Sequence, residues 1–516
     1  MAATRRSVLL LLAMLTILFV GVAAMTRPTH GDPPRPVAHE GDGPAKPTKL
    51  YFGVVACSTG GCHDNPVTPN QKDILLCNYD EVRIWSKQDK HREANKVLKS
   101  ERGLQMAKLL GIKGDIAKEP SCISCHGVLV EDKKYIHEES FDLAEGVSCG
   151  ACHGYASEWV DQHSTFLQRK KWRALSRKVK ENQYGMRDLW DPEKRATLCA
   201  SCHIGNSAEG KVVTHAMYAA GHPPLPSVEL STFSDAMPRH WKYLAEKPAN
   251  VQKILEFDPA KSGLERTEFV VISALVAFRE SMKLLATQAE HGAEAKDPDQ
   301  SWPELAQFDC IACHHDLKSD SWRQKRGYAG KPGRPMMREW ASALVPIALI
   351  HASKGETERE KKLSKELADK LKELTAAFDA QPFGEPKRVA KTARDAATWA
   401  DGLLSGLRST SIDRTGAKNL LVGLGREARA RTLDFDSARQ FAWAFRAIQT
   451  EADPSWAKRE GIAAALKELE DQLKLDFPKG QVEIAKDYLK ESLERLNNYE
   501  PQRFRSAFDV LSKNGN

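Results

Sequence analysis

One short pattern, Cys-x-x-Cys-His, recurs along this chain of 516 residues and constrains its fold more than any other feature. Four copies share this spacing, and the copy nearest the N-terminus has two further residues between its cysteines. The copies use ten of the eleven cysteines and leave only Cys77, which we expect to be a buried free thiol. In chain order, the first to fifth motifs occupy residues 57–63, 122–126, 149–153, 199–203 and 310–314.

The motif joins two thiols and one imidazole on a tight turn. Cysteines at this spacing can bond to the two vinyl groups at one edge of a porphyrin, and the next residue directs its imidazole at the iron. Zinc ribbons and redox disulfides also use paired cysteines, but neither requires a histidine after every second cysteine. These alternatives stay open, more so for the first motif, although its paired glycines can loop out and keep the thiols together.

The motifs therefore predict five covalently attached haems c. The thioether bonds are expected at Cys57, Cys62, Cys122, Cys125, Cys149, Cys152, Cys199, Cys202, Cys310 and Cys313. The proximal iron ligands are expected at His63, His126, His153, His203 and His314.

The second axial ligands are less constrained by local spacing. Sixteen histidines are a surplus over five proximal ones, and such a surplus suits irons with two histidine ligands, which pass electrons with little rearrangement. Beside the fourth motif, we favour His222 and His240 as ligands of the fourth and fifth haems. Outside the motifs and the N-terminal 48 residues, nine histidines are candidates: His91, His137, His163, His215, His222, His240, His291, His315 and His351.

Residues 51 to about 205 resemble the tetrahaem cytochrome c-554 family, which relays electrons from hydroxylamine oxidation in ammonia oxidisers. The resemblance rests on the motif order, on Trp85 followed six residues later by His91, on the sequence EGVSCGACHG at 145–154, and on His163 beyond it. It implies that His91 caps the iron of His153, and that His163 caps the iron of His63.

This chain also departs from that family. The family's second haem lacks a distal ligand, and here His137, eleven residues after His126, either fills that place or is not a ligand. The stretched first motif, the fifth motif and the roughly 200 residues after it have no counterpart in the family.

The N-terminus predicts export. Arg5 and Arg6 precede an apolar run at 8–25, so residues 1–25 fit either a cleaved signal peptide or a single membrane anchor. Residues 26–48 contain six prolines and are expected to form an extended linker. We therefore expect a periplasmic or otherwise exported protein, soluble or anchored by this segment.

The remaining pattern is helical, so we predict a mainly α fold with little β structure. Residues 49–333 are expected to form a pentahaem cytochrome c domain of short helices and loops packed on haems, with a buried apolar helix from Glu265 towards Leu285. Residues 334–516 carry leucines at helical spacing and are expected to form a C-terminal α-helical bundle. No Cys, His or Met follows His351, so this bundle has no conventional haem ligand.

Charge and motifs together indicate an electron carrier. The 76 Lys and Arg residues against 69 Asp and Glu give a net charge of +7 that is spread along the chain, so no nucleic-acid partner is expected. We predict a periplasmic multihaem cytochrome that transfers electrons between redox protein partners through closely packed haems. The alternative is a haem enzyme that acts on a small nitrogen compound at a five-coordinate haem bound by His126. A third hypothesis gives the C-terminal bundle the task of docking a partner.

Overall fold

The computed structural model describes residues 49–65, 77–165, 168–259, 263–295, 302–315, 319, 331–408, 410–477 and 488–514. The predicted signal or anchor and the proline-rich linker lie outside these residues. Within them, regular structure is helical, and β pairing is limited to the isolated bridges Tyr51–Ile136, Asn206–Lys211 and Phe308–Met337. The mainly α fold class is confirmed. In the described part of the chain, no helix combines the length and apolarity that crossing a bilayer requires.

Short helices dominate the part of the chain that contains the first four motifs. Most of their buried apolar side chains form small separate clusters, such as Val54 with Val82 and Trp85, whereas Ala196, Ala200 and Leu230 belong to the large core described below. The α-helices here are α1 Val54–Ser58, α2 Glu81–Gln88, α3 Glu101–Leu109, α4 Pro120–His126, α5 Cys149–His153, α6 Val160–Ser164, α7 Arg169–Ala174, α8 Arg177–Tyr184, α9 Pro192–His203, α10 His215–Ala220, α11 Leu230–Ala236 and α12 Ala249–Ile254.

Short 3-10 turns connect these helices and recur later in the chain. They span Thr59–Gly61, Lys90–Glu93, Lys96–Lys99, Ile116–Lys118, Lys133–Tyr135, Leu143–Glu145, Ser207–Glu209, Leu244–Glu246, Leu305–Gln307, Cys310–Ala312 and Trp456–Lys458.

The second half of the described chain forms longer helices around a large hydrophobic core. The spacing of their apolar residues places one stripe of each helix in this core, as an amphipathic helix requires. The α-helices are α13 Glu265–Glu294, α14 Trp340–Ala343, α15 Val345–Ala352, α16 Thr357–Asp379, α17 Pro386–Leu407, α18 Arg414–Ala430, α19 Phe435–Ala452, α20 Ile462–Leu473, α21 Tyr488–Asn498 and α22 Pro501–Asn514.

Helix α13 joins the haem motifs to the bundle. The sequence predicted it as a buried helix between haem segments, and it is buried along most of its length, from Thr267 to Ala289. It packs along α17 and α15 in the bundle and also against α9, which carries the fourth motif. The same core runs from Ala196 to Leu511 and so extends to both sides of residue 333. The boundaries of the two predicted domains remain predictions.

Candidate haem-binding site

Each of the second to fourth motifs ends a helix, so that its histidine is the last helical residue. Helix α9 shows why the chain is helical there: Asp191 accepts a hydrogen bond from the Lys194 amide as the N-cap, and Pro192 occupies the first turn. Helical spacing puts the two cysteines and the histidine of a motif on adjacent positions of one turn. In the fifth motif a 3-10 turn serves the same purpose, and the His314 amide donates to the Cys310 carbonyl at 2.8 Å.

The stretched first motif reaches the same local arrangement by a different backbone. Helix α1 ends at Ser58, and both Gly60 and Gly61 then adopt left-handed conformations, with φ of 69° and 74°. This loop absorbs the two extra residues. The His63 amide donates to the Cys57 carbonyl at 3.1 Å, which matches the bond between histidine and first cysteine in the fifth motif.

Four proximal histidines each face a second histidine across a similar gap. Ligand nitrogens lie about 2 Å from a bound metal, and since the imidazole centre is about 1 Å further out, two rings on one iron have centres roughly 6 Å apart. The measured ring-centre distances are 6.1 Å for His63–His163, 6.3 Å for His126–His222, 6.3 Å for His91–His203 and 6.4 Å for His215–His314. These spacings fit one iron between the rings of each pair.

Hydrogen bonds to Nδ1 orient several of these rings and leave Nε2 for a metal. Three rings donate a hydrogen bond from Nδ1–H to a backbone carbonyl at 2.7 Å. His126 donates to the carbonyl of Ala94, His222 to that of Pro223 and His163 to that of Val160. Two others donate to carboxylates: His63 to Glu81 and His91 to Asp89, each at 2.9 Å. Metal-bound histidines characteristically use their second nitrogen in this way.

Burial and charge set the protonation of the rings. Burial lowers the pKa of both His153 and His203 to about 4, so both are neutral imidazoles, the form that binds metals. Burial also opposes a charge on His63, but its hydrogen bond and ion pair with Glu81 raise its pKa. The same balance raises the pKa of His91, where Asp89 is the partner.

His153 has His240 as its neighbour. After burial, the charge of His240 is the largest influence that lowers the pKa of His153. The Nδ1 atom of His240 is buried and has no hydrogen-bond partner among the described residues. His240 is therefore near enough for its charge to act on His153, and it is the candidate for the second ligand at the third motif.

The distal positions differ in part from the sequence expectations. His163 lies against His63, as the resemblance implied, but His91 lies against His203 instead of His153. His222, which we favoured for the fourth or fifth haem, faces His126.

Two further histidines show what sequence reasoning missed. His137 stacks on Phe52 at 4.2 Å and bonds Ser140 through Nδ1, and no described ring contact joins it to a proximal histidine. His215, a candidate that we did not choose, faces His314. Its amide donates to Glu304 at 2.8 Å, a contact between distant segments that local spacing could not reveal.

Cysteines of different motifs also lie close together. The thiols of Cys57 and Cys149 lie close enough to shift each other's pKa, and so do those of Cys125 and Cys202. The first and third motifs are therefore neighbours, as are the second and fourth. Cys152 of the third motif is in turn close enough to Cys199 of the fourth to be influenced by its charge.

The arrangement does not resemble a zinc ribbon. No disulfide joins any of the eleven cysteines, and in the described residues one group of three possible metal ligands converges, namely His63, Cys77 and Glu81. No two Cys-x-x-Cys pairs of the described chain meet in a zinc-like cluster. Cys77 is a partly buried free thiol, and burial raises its pKa to about 11.

Comparison with known proteins identifies the family of this region. Residues 60–154 match the sequence model of the family described as cytochrome c554 and c-prime, a span that includes the end of the first motif and all of the second and third. No curated protein and no solved structure matches the chain. The haem-attachment motifs and the paired imidazoles fit the covalently bound haem c of such proteins. Residues 60–154 are therefore similar to a cytochrome c554-like family of haem-binding c-type cytochromes.

Proposed function

We propose that this protein binds five haems c and relays electrons between redox protein partners outside the cytoplasm. The observation that carries the proposal is the pairing of imidazoles at ring-centre distances of 6.1 to 6.4 Å. Haem c, when bound, supplies reversible one-electron chemistry at iron. The role of the chain is to hold each iron between two histidines and to bring the binding sites close together.

Paired histidines favour electron transfer over catalysis. An enzyme that acts on a small nitrogen compound needs an open position on its iron. The ring of His222 lies opposite His126, and this arrangement argues against the alternative of a five-coordinate haem at the second motif. At the third motif we propose His240 as the second ligand, because its charge acts on His153.

Contacts between motifs support a continuous row of sites. The thiol pairs join the first motif to the third and the second to the fourth, and Cys152 with Cys199 joins the third to the fourth. The fifth site is next to the second, since His215 and His222 belong to one short segment that begins with α10. These contacts arrange the five sites in the spatial order first, third, fourth, second and fifth motif. Cys62 and Cys313, at the two ends of this row, are the exposed motif cysteines, so we propose that partners exchange electrons there.

Haem stoichiometry and spin state test this proposal. Full-length protein matured in a host with a cytochrome c attachment system should give five haems per chain by pyridine haemochrome assay and intact mass. Its ferric and ferrous spectra should be low-spin, and carbon monoxide should not bind. Fewer haems, or a high-spin fraction that binds carbon monoxide in the wild-type protein, would contradict the relay with five closed sites.

Export is proposed from residues 1–25 and is tested by fractionation. The haem-containing protein should be found outside the cytoplasm. Release by osmotic shock would indicate a cleaved signal, and release only by detergent would indicate an anchor. Haem-loaded protein confined to the cytoplasm would contradict the proposal.

A further inference from the structure

The hydrogen bonds behind the candidate iron ligands fall into two chemical classes. His126, His163 and His222 each donate from Nδ1 to a neutral backbone carbonyl. His63 and His91 instead donate to the carboxylates of Glu81 and Asp89. The second-motif pair, His126 with His222, therefore has only carbonyl partners, whereas the pairs His63–His163 and His91–His203 each include a carboxylate.

The backbone holds both carboxylates in place. Oε1 of Glu81 accepts hydrogen bonds from the amides of Asn78 and Tyr79 at 2.5 and 3.2 Å, which leaves Oε2 for His63. Asp89 is the N-cap of the turn Lys90–Glu93, and its Oδ1 also accepts from the His91 amide at 3.0 Å. The side chains of Glu81 and Asp89 are only 15% and 5% exposed, so water screens them weakly.

A carboxylate behind an imidazole changes the ligand electronically. It draws the Nδ1 proton towards itself and makes Nε2 a stronger electron donor. A stronger donor and a nearby negative charge both stabilise ferric over ferrous iron, since the oxidised form carries one more positive charge. A backbone carbonyl orients the ring without adding charge.

We propose that Glu81 and Asp89 are positioning residues that lower the reduction potentials of the His63–His163 and His91–His203 sites below that of the His126–His222 site. This inference rests on the proposed function, because it assumes haem at these sites. The sites along the row then differ in reduction potential, and the second-motif site is the most easily reduced of these three. The difference arises from two side chains outside the ligand set.

The test removes each charge and keeps the hydrogen bond. In Glu81→Gln and Asp89→Asn the amide oxygen can still accept from the histidine. Potentiometric titration of the haem-loaded full chain should show one of five reduction steps moved to a more positive potential in each variant, and a different step in the two. Glu81→Asp, which retains the charge, should stay closer to wild type.

Electron paramagnetic resonance during the titration assigns the shifted step to one of the two classes of ring pair. The rings of His63 and His163 are 21° from parallel, whereas those of His91 and His203 are at 90°, and these arrangements give different low-spin signals. Glu81→Gln should move a signal of the near-parallel type, and Asp89→Asn one of the perpendicular type. Unchanged g values in each variant would show that the rings have not rotated.

Glu145→Gln is the matched control. Glu145 is partly buried near the first and third motifs and accepts from the Val54 amide at 3.0 Å, but within the described ranges no hydrogen bond joins it to a histidine. An equal shift in Glu145→Gln would show that any nearby charge acts in this way, and it would overturn the inference. Five low-spin haems with no shift in Glu81→Gln or Asp89→Asn would overturn it while leaving the relay intact. A wild-type protein without five low-spin haems would instead refute the proposed function. If Glu81→Gln lost its haem, Asp89→Asn would decide the question at the other site.

Discussion

Single residues decide whether a motif can present its thiols and imidazole together. The four short motifs need only a helical or 3-10 turn, but the first motif depends on Gly60 and Gly61 in left-handed conformations. A side chain disfavours this region by roughly 1–2 kcal/mol per residue. The two glycines therefore allow a motif with two extra residues to retain the bond between His63 and Cys57.

Replacing both glycines tests this requirement. We expect Gly60→Ala with Gly61→Ala to cost about 2–4 kcal/mol in the loop and to lower haem attachment at the first motif alone. Intact mass should then show a fraction of chains with one haem fewer than wild type. Gly111→Ala is the control, because Gly111 has the same φ of 69° and open space where the alanine methyl group would lie, yet is outside the motifs. Equal haem loss in Gly111→Ala would mean that general destabilisation is responsible.

The second axial ligand at the second motif is also decided by a single residue, either His222 or His137. We expect His222→Ala to open one iron position, so that one haem per chain becomes high-spin and binds carbon monoxide. His137→Ala should leave the spectrum low-spin, since His137 packs on Phe52 and bonds Ser140. Carbon monoxide titration of both variants measures the difference. Binding in His137→Ala alone would reverse the assignment.

At the scale of elements, α9, α13 and α17 meet at one buried cation. Arg279 on α13 is 5% exposed and donates to Glu193 of α9 at 2.8 Å, to Glu280 at 2.6 Å and to Asp401 of α17 at 2.8 Å. Because α9 ends at His203, this contact connects a haem motif directly to the helical bundle.

Removing that cation should loosen the connection. Arg279→Ala removes the buried cation and leaves Glu193 and Glu280 with only their more exposed partners Arg408 and Lys283. We expect a loss of about 3 kcal/mol in the free energy of unfolding. Denaturant unfolding followed by far-ultraviolet circular dichroism measures it. Arg394→Ala, which breaks a more exposed ion pair with Glu290 between the same helices α13 and α17, should cost about 1 kcal/mol or less. Similar losses in the two variants would show that Arg279 has no special structural role.

Over the whole molecule, local patterns were predictable and contacts between distant segments were not. The mainly α class and the helix from Glu265 depend on spacing within one turn or one helix. Other contacts depend on how separate segments pack. They include the ring pairs His91–His203 and His215–His314. Of the two pairings that the resemblance implied, the structure brings His63 and His163 together but places His91 against His203 instead of His153. The segment with His215 and His222 has no counterpart in that family's core.

The relative orientation of the paired rings is a property of the whole array that can be measured without assigning potentials. Two pairs are nearly parallel, at 21° for His63–His163 and 23° for His215–His314, and two are perpendicular, at 90° for His126–His222 and His91–His203.

Ring orientation determines the magnetic anisotropy of low-spin ferric iron. Parallel imidazoles interact with the same iron d orbital and separate it in energy from its partner, whereas perpendicular imidazoles affect both orbitals alike. We therefore expect the oxidised protein to show two classes of low-spin signal in electron paramagnetic resonance, an ordinary rhombic class and a class with an unusually large g value. Each class should account for at least two haems by spin quantitation. A spectrum with rhombic signals alone would contradict the perpendicular pairs and, with them, the assignment of His222 and His91 as ligands.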